Sequence, residues 1–213
     1  MSEYWSRRFA QEGMIWGSDP SPTAQAARDI FRKHNVKSVL VPGSGYGRNT
    51  KVFSEEFKTF GVELSVEALK MATECDPRSH FILGSVLDSI LEVKVDAIYC
   101  YDVLHLFLEE DRRRLVANCL EQLQPDGLLY FTSFSDEDAN NGCGTLLEPG
   151  TYEYKEGKYA HFFSDEDLRE HFEGMDIVES GSSLEILRGP LGGTHSYIIR
   201  YIVARKSELT FNT

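Results

Sequence analysis

The sequence predicts an α/β protein built on a mostly parallel sheet with helices on both faces. Apolar strand-like runs alternate with helical patterns through the first two thirds of the chain, which is typical of a parallel sheet. A glycine-rich turn at 43–47 follows the first of these runs. Two strand patterns, 177–187 and 196–206, then stand side by side with only a short loop between them, so they must be antiparallel. We therefore expect a doubly wound sheet of seven strands that ends in an antiparallel hairpin.

The elements of the parallel part follow one another closely. Pro22 opens a helix that runs to about Lys33, and Ser65 caps a second helix that runs to about Cys75. Further helices are predicted at 49–57 and 110–123. The predicted strands are Val39–Pro42, Thr59–Glu63, His80–Leu83, Val95–Tyr101 and Leu128–Phe134, the last one after a Pro-Asp-Gly turn at 125–127.

The ends of the chain have a different character. The first residues to Glu12 are compatible with a short helix, and 13–22 reads as a loop with two prolines and two glycines. Residues 135–160 are polar and glycine-rich, which indicates a long excursion from the sheet. Ser164 then begins a helix with a capping-box pattern to Asp167. No linker or internal repeat is visible, so we expect a single domain over residues 1–213.

Composition and charge exclude several classes of protein. Hydrophobic residues make up 41% of the chain and charged residues 26%, which is typical of a soluble globular protein. The formal net charge of −12 would repel a nucleic acid, and the one basic run, Arg112–Arg114, reads as a solvated helix face. No apolar segment is long enough to cross a membrane, and the cysteines form no CxxC pair or zinc-ligand spacing. We expect a cytoplasmic protein with no metal, no nucleic-acid partner and no membrane partner.

The glycine-rich turn is the strongest local signal of a binding site. Gly43, Gly45 and Gly47 lie at the carboxyl end of the first strand, where sheets of this kind bind nucleotide-like ligands. Glu63 ends the second strand, where an acid can accept hydrogen bonds from ribose hydroxyls. A dinucleotide site favours the spacing GxGxxG, whereas this chain has GxGxG, followed by Arg48 and Asn49. S-adenosylmethionine (SAM) has no phosphate and instead needs close backbone approach and an acid for the ribose.

Five motifs make the chain similar to class I SAM-dependent methyltransferases over nearly its whole length. They are VLVPGSGYGRNT (39–50), GVELSVEAL (61–69), FILGSVLDSI (81–90), DAIYCYDVLHLF (96–107) and LQPDGLLYFTSF (123–134). Within that superfamily the chain most resembles the tellurite-resistance and thiopurine methyltransferase-like group, through IWGSDPSP (15–22), HFFSDEDLREHFEGMDIVE (161–179) and RYIVARK (200–206). The resemblance implies the strand order 3-2-1-4-5-7-6, SAM as cofactor and S-adenosylhomocysteine as product.

The resemblance assigns cofactor roles to individual residues. Gly43 and Gly45 would pass under the methionine part of SAM, and Glu63 would bind the ribose. Leu64 and Val86 would enclose the adenine, although ordinary core positions would look the same. Tyr101 would face the sulfonium, and either Arg48 or Asn49 would contact the cofactor carboxylate. Trp16 either covers the active site as part of a lid formed by residues 1–22 or anchors that segment by hydrophobic contact.

Two positions depart from the usual pattern, and one acid has two open roles. The family usually has an acid where this chain has Val41, and it often has an acid where Ser85 stands beside the adenine amine. Ser85 still accepts a hydrogen bond, but a weaker one, so the affinity for SAM is expected to be modest unless other residues compensate. Asp102 either pairs with the cofactor amine or caps the next helix.

The acceptor side is defined less sharply. In the family, the segment after the fifth strand and the final hairpin shape the acceptor pocket, so residues 135–163 are expected to be a substrate-side insertion. His161 and His195 are then candidates for acceptor contact or catalysis, with Glu148 beside them. No catalytic dyad is evident, which favours an acceptor that is already ionised, and the subgroup resemblance points to a thiol or to an oxyanion of tellurium or selenium.

Other functions remain open at this point. Val41 and Ser85 are compatible with a SAM-binding protein that no longer catalyses. A nicotinamide-dependent oxidoreductase would be expected to have GxGxxG and a catalytic pair such as tyrosine and lysine, and the chain has neither. A macromolecular methyltransferase is disfavoured by the charge and by the lack of a recognition domain. We expect a monomeric enzyme that methylates a small molecule.

Overall fold

The computed structural model describes residues 2–188 and 193–207, whose backbone forms two sheets and six α-helices. The helices are α1 (Ser2–Glu12), α2 (Pro22–Lys33), α3 (Thr50–Ser54), α4 (Val66–Cys75), α5 (Glu109–Gln122) and α6 (Asp165–Glu170), and one 3-10 turn spans Leu104–Leu106. The strands are β1 (Ser38–Pro42), β2 (Lys58–Glu63), β3 (His80–Leu83), β4 (Val95–Tyr101), β5 (Leu123–Phe134), β6 (Thr145–Glu148), β7 (Thr151–Lys155), β8 (Lys158–His161), β9 (Asp176–Arg188) and β10 (Thr194–Arg205). Within the two described ranges, no helix is both long and apolar enough to span a lipid bilayer.

The large sheet has seven strands in the order 3-2-1-4-5-10-9. Strands β1 to β5 are parallel to one another, and β10 lies antiparallel between β5 and β9. The expected order 3-2-1-4-5-7-6 is therefore corrected in its last two numbers, because three strands of the small sheet precede the final hairpin. Part of the connection between β9 and β10, residues 189–192, lies outside the described residues.

Alternate residues of the central strands enter two separate cores, which explains why these strands are apolar throughout. One core includes side chains from α5 and α6, and the other includes side chains from α2 and α3. Helices therefore cover both faces, as the alternation of elements predicts. The first core contains Leu40, Ile98, Cys100, Leu129 and Phe131, and the second contains Val39, Val41, Ala97, Tyr99 and Tyr130.

The segment predicted as a long excursion contains a three-stranded antiparallel sheet, β6-β7-β8, that the sequence analysis missed. Its strands are short, and β7 and β8 are joined by a tight turn at Glu156-Gly157, where Gly157 has a φ of 68°. Glycine at such a turn is a hairpin signal that the sequence does carry. Strand β8 contacts the 3-10 turn that follows β4, so the small sheet lies beside the carboxyl end of the large one.

Two predicted boundaries were wrong, the start of β5 and the end of α3. The Pro-Asp-Gly sequence lies inside β5 and does not precede it: Asp126 has a φ of 60°, and its N–H donates to the Lys206 carbonyl at 3.2 Å. A register shift between Val95 and Ala97 accommodates this irregularity. Helix α3 is shorter than the predicted 49–57, and β2 begins after only a brief turn.

The basic run on α5 is a further correction. Arg113 and Arg114 are exposed, as predicted, but the side chain of Arg112 is only 3% exposed. Its guanidinium donates to Glu148 Oε1 at 2.7 Å and to the Phe107 carbonyl at 2.8 Å. Arg112 is thus part of the protein interior, where its partners compensate its charge.

Candidate active site

A cleft of about 420 Å³ opens at the carboxyl ends of β1, β2 and β4, where the order of the strands reverses. Such switch points are the usual ligand sites of parallel sheets. The cleft is lined by every residue that the sequence analysis assigned to the cofactor: Trp16, Gly43, Gly45, Arg48, Asn49, Glu63, Leu64, Ser85, Val86 and Tyr101. His195 also lines it, from an exposed position on β10, whereas His161 does not.

The three glycines of the loop have different reasons to be glycine. All three have positive φ, but a Cβ at Gly43 would overlap the Val103 side chain, and one at Gly47 would lie 3.2 Å from the Ala72 Cα. A Cβ at Gly45 would have no protein atom nearer than Phe9 Cζ, at 4.0 Å. Gly43 and Gly47 are therefore required by packing within the protein, and Gly45 is the position where the loop faces open space.

Glu63 is held by the backbone around the cleft. Its Oε2 accepts from the Gly45 N–H at 2.9 Å, and its Oε1 accepts from the N–H groups of Leu64 and Ser65 at 2.9 and 2.8 Å. Burial raises the pKa of Glu63, and these three hydrogen bonds oppose that rise. Since a carboxylate has about four lone-pair positions, one position on Oε2 stays available to a ligand.

Arg48 brings an incompletely satisfied cation to the same cleft. Its Nη1 donates to the Asp19 carbonyl at 3.0 Å, and its guanidinium lies 5.2 Å from the centre of the Tyr101 ring. Its Nη2 is buried and has no hydrogen-bond partner. Asn49 is used differently, because its Oδ1 accepts from the Ser21 N–H at 2.9 Å and so fastens the N-terminal segment. Of the two residues proposed for carboxylate contact, Arg48 has the free donor.

A chain of hydrogen bonds joins two acids beneath the cleft. Asp102 Oδ2 accepts from the Tyr197 hydroxyl at 3.0 Å, and that hydroxyl lies 3.1 Å from the Tyr101 hydroxyl. Tyr101 in turn donates to Glu185 Oε1 at 3.1 Å. Burial raises the pKa of Asp102 to about 6 and also raises that of Glu185. Asp102 additionally has a φ of 54° and binds Thr132, so it does not serve as a side-chain cap for the turn that follows.

The far end of the cleft offers an apolar slot with one hydroxyl. Leu64 is partly exposed there, and Val86 is partly buried against the core. Ser85 Oγ accepts from the Leu87 N–H at 3.2 Å, which leaves one lone pair and the hydroxyl proton for a ligand. This arrangement fits a flat ring with an exocyclic amine.

The N-terminal segment packs over the cleft through an aromatic cluster. Trp16 stacks on Tyr46 with ring centres 6.2 Å apart and also contacts Trp5 and Phe9. The Tyr46 hydroxyl accepts from the backbone N–H of Trp16 at 3.1 Å and donates to the Gly17 carbonyl at 2.7 Å. Trp16 therefore anchors this segment through aromatic contacts, and its side chain also lines the cleft.

The imidazole enclosed in the cleft wall is His105. Its ring stacks on Phe134 with centres 3.8 Å apart, and its Nδ1 is buried without a hydrogen-bond partner. Burial, together with the charges of Lys158 and His161, lowers the pKa of His105 to about 3. His105 is thus a neutral ring at physiological pH, able to exchange a hydrogen bond with a ligand.

His161 belongs to a buried polar cluster outside the cleft lining. Its Nδ1 lies 2.7 Å from Thr151 Oγ1, and its Nε2 lies 2.6 Å from Asp167 Oδ2. Glu148 joins the same cluster through Thr151 and Arg112, and it also accepts from the Glu109 N–H at the start of α5. Ser164 caps α6 through the Asp167 N–H at 3.1 Å, but the Asp167 carboxylate binds His161 and does not complete a capping box. The proposed acceptor roles of His161 and Glu148 therefore have no support in their positions.

Sequence reasoning missed several residues that line the cleft. Tyr46, Tyr197, Tyr154 and Lys158 all contribute to it, and the last three come from the final hairpin and the small sheet. Which side of a strand faces the cleft depends on register, and a single sequence does not reveal it. No group of His, Cys, Asp and Glu side chains within the described ranges is placed to hold a metal ion.

Two curated relatives resemble part of this chain. Glycine/sarcosine N-methyltransferase of Aphanothece halophytica is 30% identical over 123 residues, which are 54% of this chain and 46% of that protein. The tRNA N(3)-methylcytidine methyltransferase Mettl2 of Drosophila melanogaster is 28% identical over 151 residues, 62% of this chain and 46% of that protein. The chain therefore spans about half the length of the curated relatives it matches.

Solved structures resemble nearly the whole chain. One, described as the conversion of a disulfide bond into a thioacetal group during echinomycin biosynthesis, has a TM-score of 0.75 at 18% identity and covers 99% of this chain and 94% of its own. The 1,6-didemethyltoxoflavin-N1-methyltransferase of Burkholderia thailandensis, crystallised with S-adenosylhomocysteine, has a TM-score of 0.71 at 20% identity, with coverages of 97% and 87%. TehB of Haemophilus influenzae has a TM-score of 0.67 at 14% identity, with coverages of 95% and 67%. At these identities the likeness establishes the fold.

A family model matches the central part of the chain. Residues 40–131 match the family model described as a methyltransferase domain, and this range runs from the glycine loop through Glu63 to β5. Two of the similar structures, the 1,6-didemethyltoxoflavin-N1-methyltransferase and NodS of Bradyrhizobium japonicum, were crystallised with S-adenosylhomocysteine. The chain thus resembles a methyltransferase domain over residues 40–131, and its fold as a whole is that of solved SAM-dependent methyltransferases.

Proposed function

We propose that this protein transfers the methyl group of SAM to a small-molecule acceptor. The observation that carries the proposal is the group of unused binding positions around Gly45. They are the unobstructed loop itself, the remaining lone pair of Glu63 Oε2 and the unpartnered Nη2 of Arg48. Each of these three features would contact a matching part of the cofactor. Buried polar atoms without partners cost free energy, so a ligand that satisfies them binds favourably.

The residues present fit the cofactor. Glu63 would accept from a ribose hydroxyl, and Leu64, Ser85 and Val86 would hold the adenine. Arg48 would bind the carboxylate of the methionine arm as it passes over Gly45, and Asp102 is placed for its ammonium group. When bound, SAM supplies a methyl group on a positively charged sulfur, which is already activated for displacement.

The protein's part in such a reaction is orientation and exclusion of water. The aromatic cluster of Trp5, Phe9 and Trp16 covers the cleft from the N-terminal side and keeps it apolar. An ionised acceptor needs only placement in line with the methyl group, and removal from water makes it more reactive. A thiolate or an oxyanion of tellurium or selenium is the acceptor type that follows from the subgroup resemblance.

A neutral acceptor would need a group that takes up a proton. His105 and His195 are the two imidazoles in the cleft lining that the structure describes. His105 is neutral and enclosed, so it would hold the acceptor hydrogen through a hydrogen bond, and exposed His195 would pass a proton to water. The curated relatives include a methyltransferase named for glycine and sarcosine and another named for tRNA, so acceptors of both sizes belong in the test.

Binding measurements test the proposal without knowledge of the acceptor. Calorimetric titrations with SAM, S-adenosylhomocysteine and NADH should show micromolar binding of the two adenosyl ligands and none of NADH. Methyl transfer should then be screened with thiols, selenite, tellurite, glycine and tRNA. Binding of SAM without transfer to any of them would favour a non-catalytic SAM-binding protein, and preference for NADH would contradict the proposal.

The remaining expectations are separate proposals. We propose one catalytic domain over residues 1–213, with 1–22 as a lid and 135–163 as a substrate-side insertion, that works as a monomer in the cytoplasm. The contact of the small sheet with the 3-10 turn beside the cleft supports the role of the insertion. Light scattering would test the monomer, and a filter-binding assay with tRNA would test the absence of a nucleic-acid partner.

A further inference from the structure

We propose that the acceptor carries a small oxyanionic group, a carboxylate or a phosphate, and that Lys158 and Arg8 bind this group at the mouth of the cleft. The inference rests on the proposed function, because it names the class of molecule that would enter the acceptor side. Both residues line the cleft, Lys158 from β8 and Arg8 from α1. Neither is among the groups that would hold the cofactor.

Lys158 is a cation that lies among aromatic rings. Its Nζ lies 4.8 Å from the ring centre of Tyr154, 5.3 Å from that of Tyr4 and 5.7 Å from that of Trp5. Among the side chains that the structure describes, those of residues 4–187 and 193–207, no carboxylate forms an ion pair with Lys158 within 4 Å. Burial lowers its pKa, and interaction with the Tyr4 phenol only partly offsets this effect. A neutral aromatic cage stabilises an ammonium ion but does not balance its charge.

Arg8 adds a second positive charge to the same place. Its guanidinium lies 5.8 Å from the Trp5 ring centre and 5.7 Å from the Trp16 ring centre. Its carboxylate partner in the described structure is Glu12, at 3.3 Å, which is itself half exposed to solvent. The charge of Arg8 also lowers the pKa of Lys158, because the two cations repel each other. Two like positive charges held near one another favour the binding of an anion between them, and they do so locally, against the net charge of −12 of the whole chain.

The rest of this part of the cleft indicates the shape of the ligand. Its walls are formed by apolar and aromatic side chains, which include Leu106, Phe107 and Phe134. The carboxylates in the described lining are Glu63 and Asp102, and both are already hydrogen-bonded. An acceptor with an apolar body and one anionic end would therefore meet favourable contacts at both ends. Neutral His105, whose pKa the Lys158 charge helps to lower, faces the same space.

Three probes distinguish charge from shape: benzoate, phenyl phosphate and neutral benzamide. Each would be titrated into the full chain, with and without saturating S-adenosylhomocysteine, and followed by tryptophan fluorescence, since Trp5 and Trp16 both line the cleft. We expect at least one of the two anions to bind about tenfold more tightly than benzamide. Tighter binding of benzoate would identify a carboxylate acceptor, and tighter binding of phenyl phosphate would identify a phosphorylated one.

The variants K158M and R8Q should each reduce the affinity for the preferred anion about tenfold and leave that for benzamide unchanged. K155M is the matched control, because Lys155 pairs with Lys158 across β7 and β8 but is exposed and does not line the cleft. Equal affinities for all three probes, no binding up to about 10 mM, or equal effects of K155M and K158M would each overturn the inference. Absence of S-adenosylhomocysteine binding would instead contradict the proposed function, and the titrations without it still decide the anion site.

Discussion

The Glu63 carboxylate accepts a hydrogen bond from the backbone N–H of Gly45 at 2.9 Å, so the end of β2 is tied directly to the loop that follows β1. The bond fixes the acid beside the glycine position that faces open space. It also occupies one of the two lone pairs of Oε2, so Glu63 has a single acceptor position left and not the two expected for both ribose hydroxyls. The second hydroxyl must therefore find another partner or displace a backbone N–H.

Replacing Glu63 with glutamine should weaken the binding of S-adenosylhomocysteine. Hydrogen bonds to charged groups contribute about 1.5–3 kcal/mol, so we expect a loss of about 10- to 100-fold in affinity by calorimetry. Glutamine keeps the shape and one acceptor oxygen, but its amide nitrogen would face a backbone N–H that now donates to the carboxylate. E67Q is a suitable control, because Glu67 lies partly exposed on the following helix and does not line the cleft. Equal affinities of E63Q and the unaltered protein would exclude Glu63 as a ribose ligand.

Alanine substitutions in the glycine loop should separate packing from binding. At Gly43 the new methyl group would collide with Val103, and the positive φ adds strain of about 1–3 kcal/mol, so G43A should lower the free energy of unfolding strongly. At Gly45 only the backbone strain applies, and the methyl group enters the ligand space. G45A should therefore be more stable than G43A but should lose affinity for S-adenosylhomocysteine. Urea unfolding of both variants, beside calorimetry on G45A, would show whether this order is reversed.

Arg48 should recognise the amino-acid end of the cofactor and not its adenosine end. We expect R48M to weaken binding of S-adenosylhomocysteine about tenfold or more, because the cofactor carboxylate loses a charged donor, and to change the binding of adenosine little. The comparison of the two ligands in one variant corrects for any general disturbance of the cleft. A parallel loss for both ligands would show that Arg48 acts through the fold, by way of its bond to the Asp19 carbonyl.

The stability of the ligand-free protein should depend on pH through Asp102. Burial raises its pKa from 3.8 to about 6, so between these values the folded state keeps a proton that the unfolded state releases. The free energy of unfolding should then fall as the pH rises through this window and show no further loss from this group above it. In D102N this contribution disappears, and asparagine also tolerates the positive φ of the position.

Glu63 and Glu185 also have raised pKa values because of burial and change stability in the same direction. The test is therefore the difference between the unaltered protein and D102N, measured by urea unfolding at several pH values. Parallel curves for the two proteins would mean that folding does not raise the pKa of Asp102.

The buried cluster around Arg112 should contribute to stability and not to catalysis. Removing one partner of a buried ion pair costs about 3–5 kcal/mol, because the other charge is left uncompensated, and R112A leaves Glu148 in that condition. Exposed Arg113 pairs only with Glu109 on the same helix, so R113A should change stability by about 0.5 kcal/mol or less. Thermal unfolding of the two variants provides the comparison. Similar melting temperatures would show that the cluster is not structural.

The parts of the fold that the sequence predicts are those determined by local pattern. Strands buried on both faces are apolar throughout, as at Val39–Pro42, and helix caps are short motifs, as at Ser65 and Ser164. The small sheet was missed because its strands are short and half exposed, so they lack a continuous apolar face. The position of Pro-Asp-Gly inside β5 depends on its pairing with the end of β10, which lies far away in the sequence.

The difference between local pattern and long-range pairing also separates the cofactor side of the site from its acceptor side. The glycine loop and Glu63 are adjacent strand ends of a parallel sheet, so their meeting follows from the topology alone. Tyr197 and Lys158 reach the cleft only through the register of β10 and the packing of β8, which the local sequence does not encode. His161 was assigned to the acceptor pocket for its place after the excursion, but its ring turns into the cluster with Thr151 and Asp167.

The central claim is that the methionine arm of SAM crosses Gly45 between Glu63 and Arg48. The most direct test is a crystal structure with S-adenosylhomocysteine. It should show a ribose hydroxyl within hydrogen-bond distance of Glu63 Oε2, the ligand carboxylate at Arg48 Nη2 and the methionine arm in contact with Gly45. A ligand bound elsewhere, or one whose amino-acid end meets Glu63, would contradict the account.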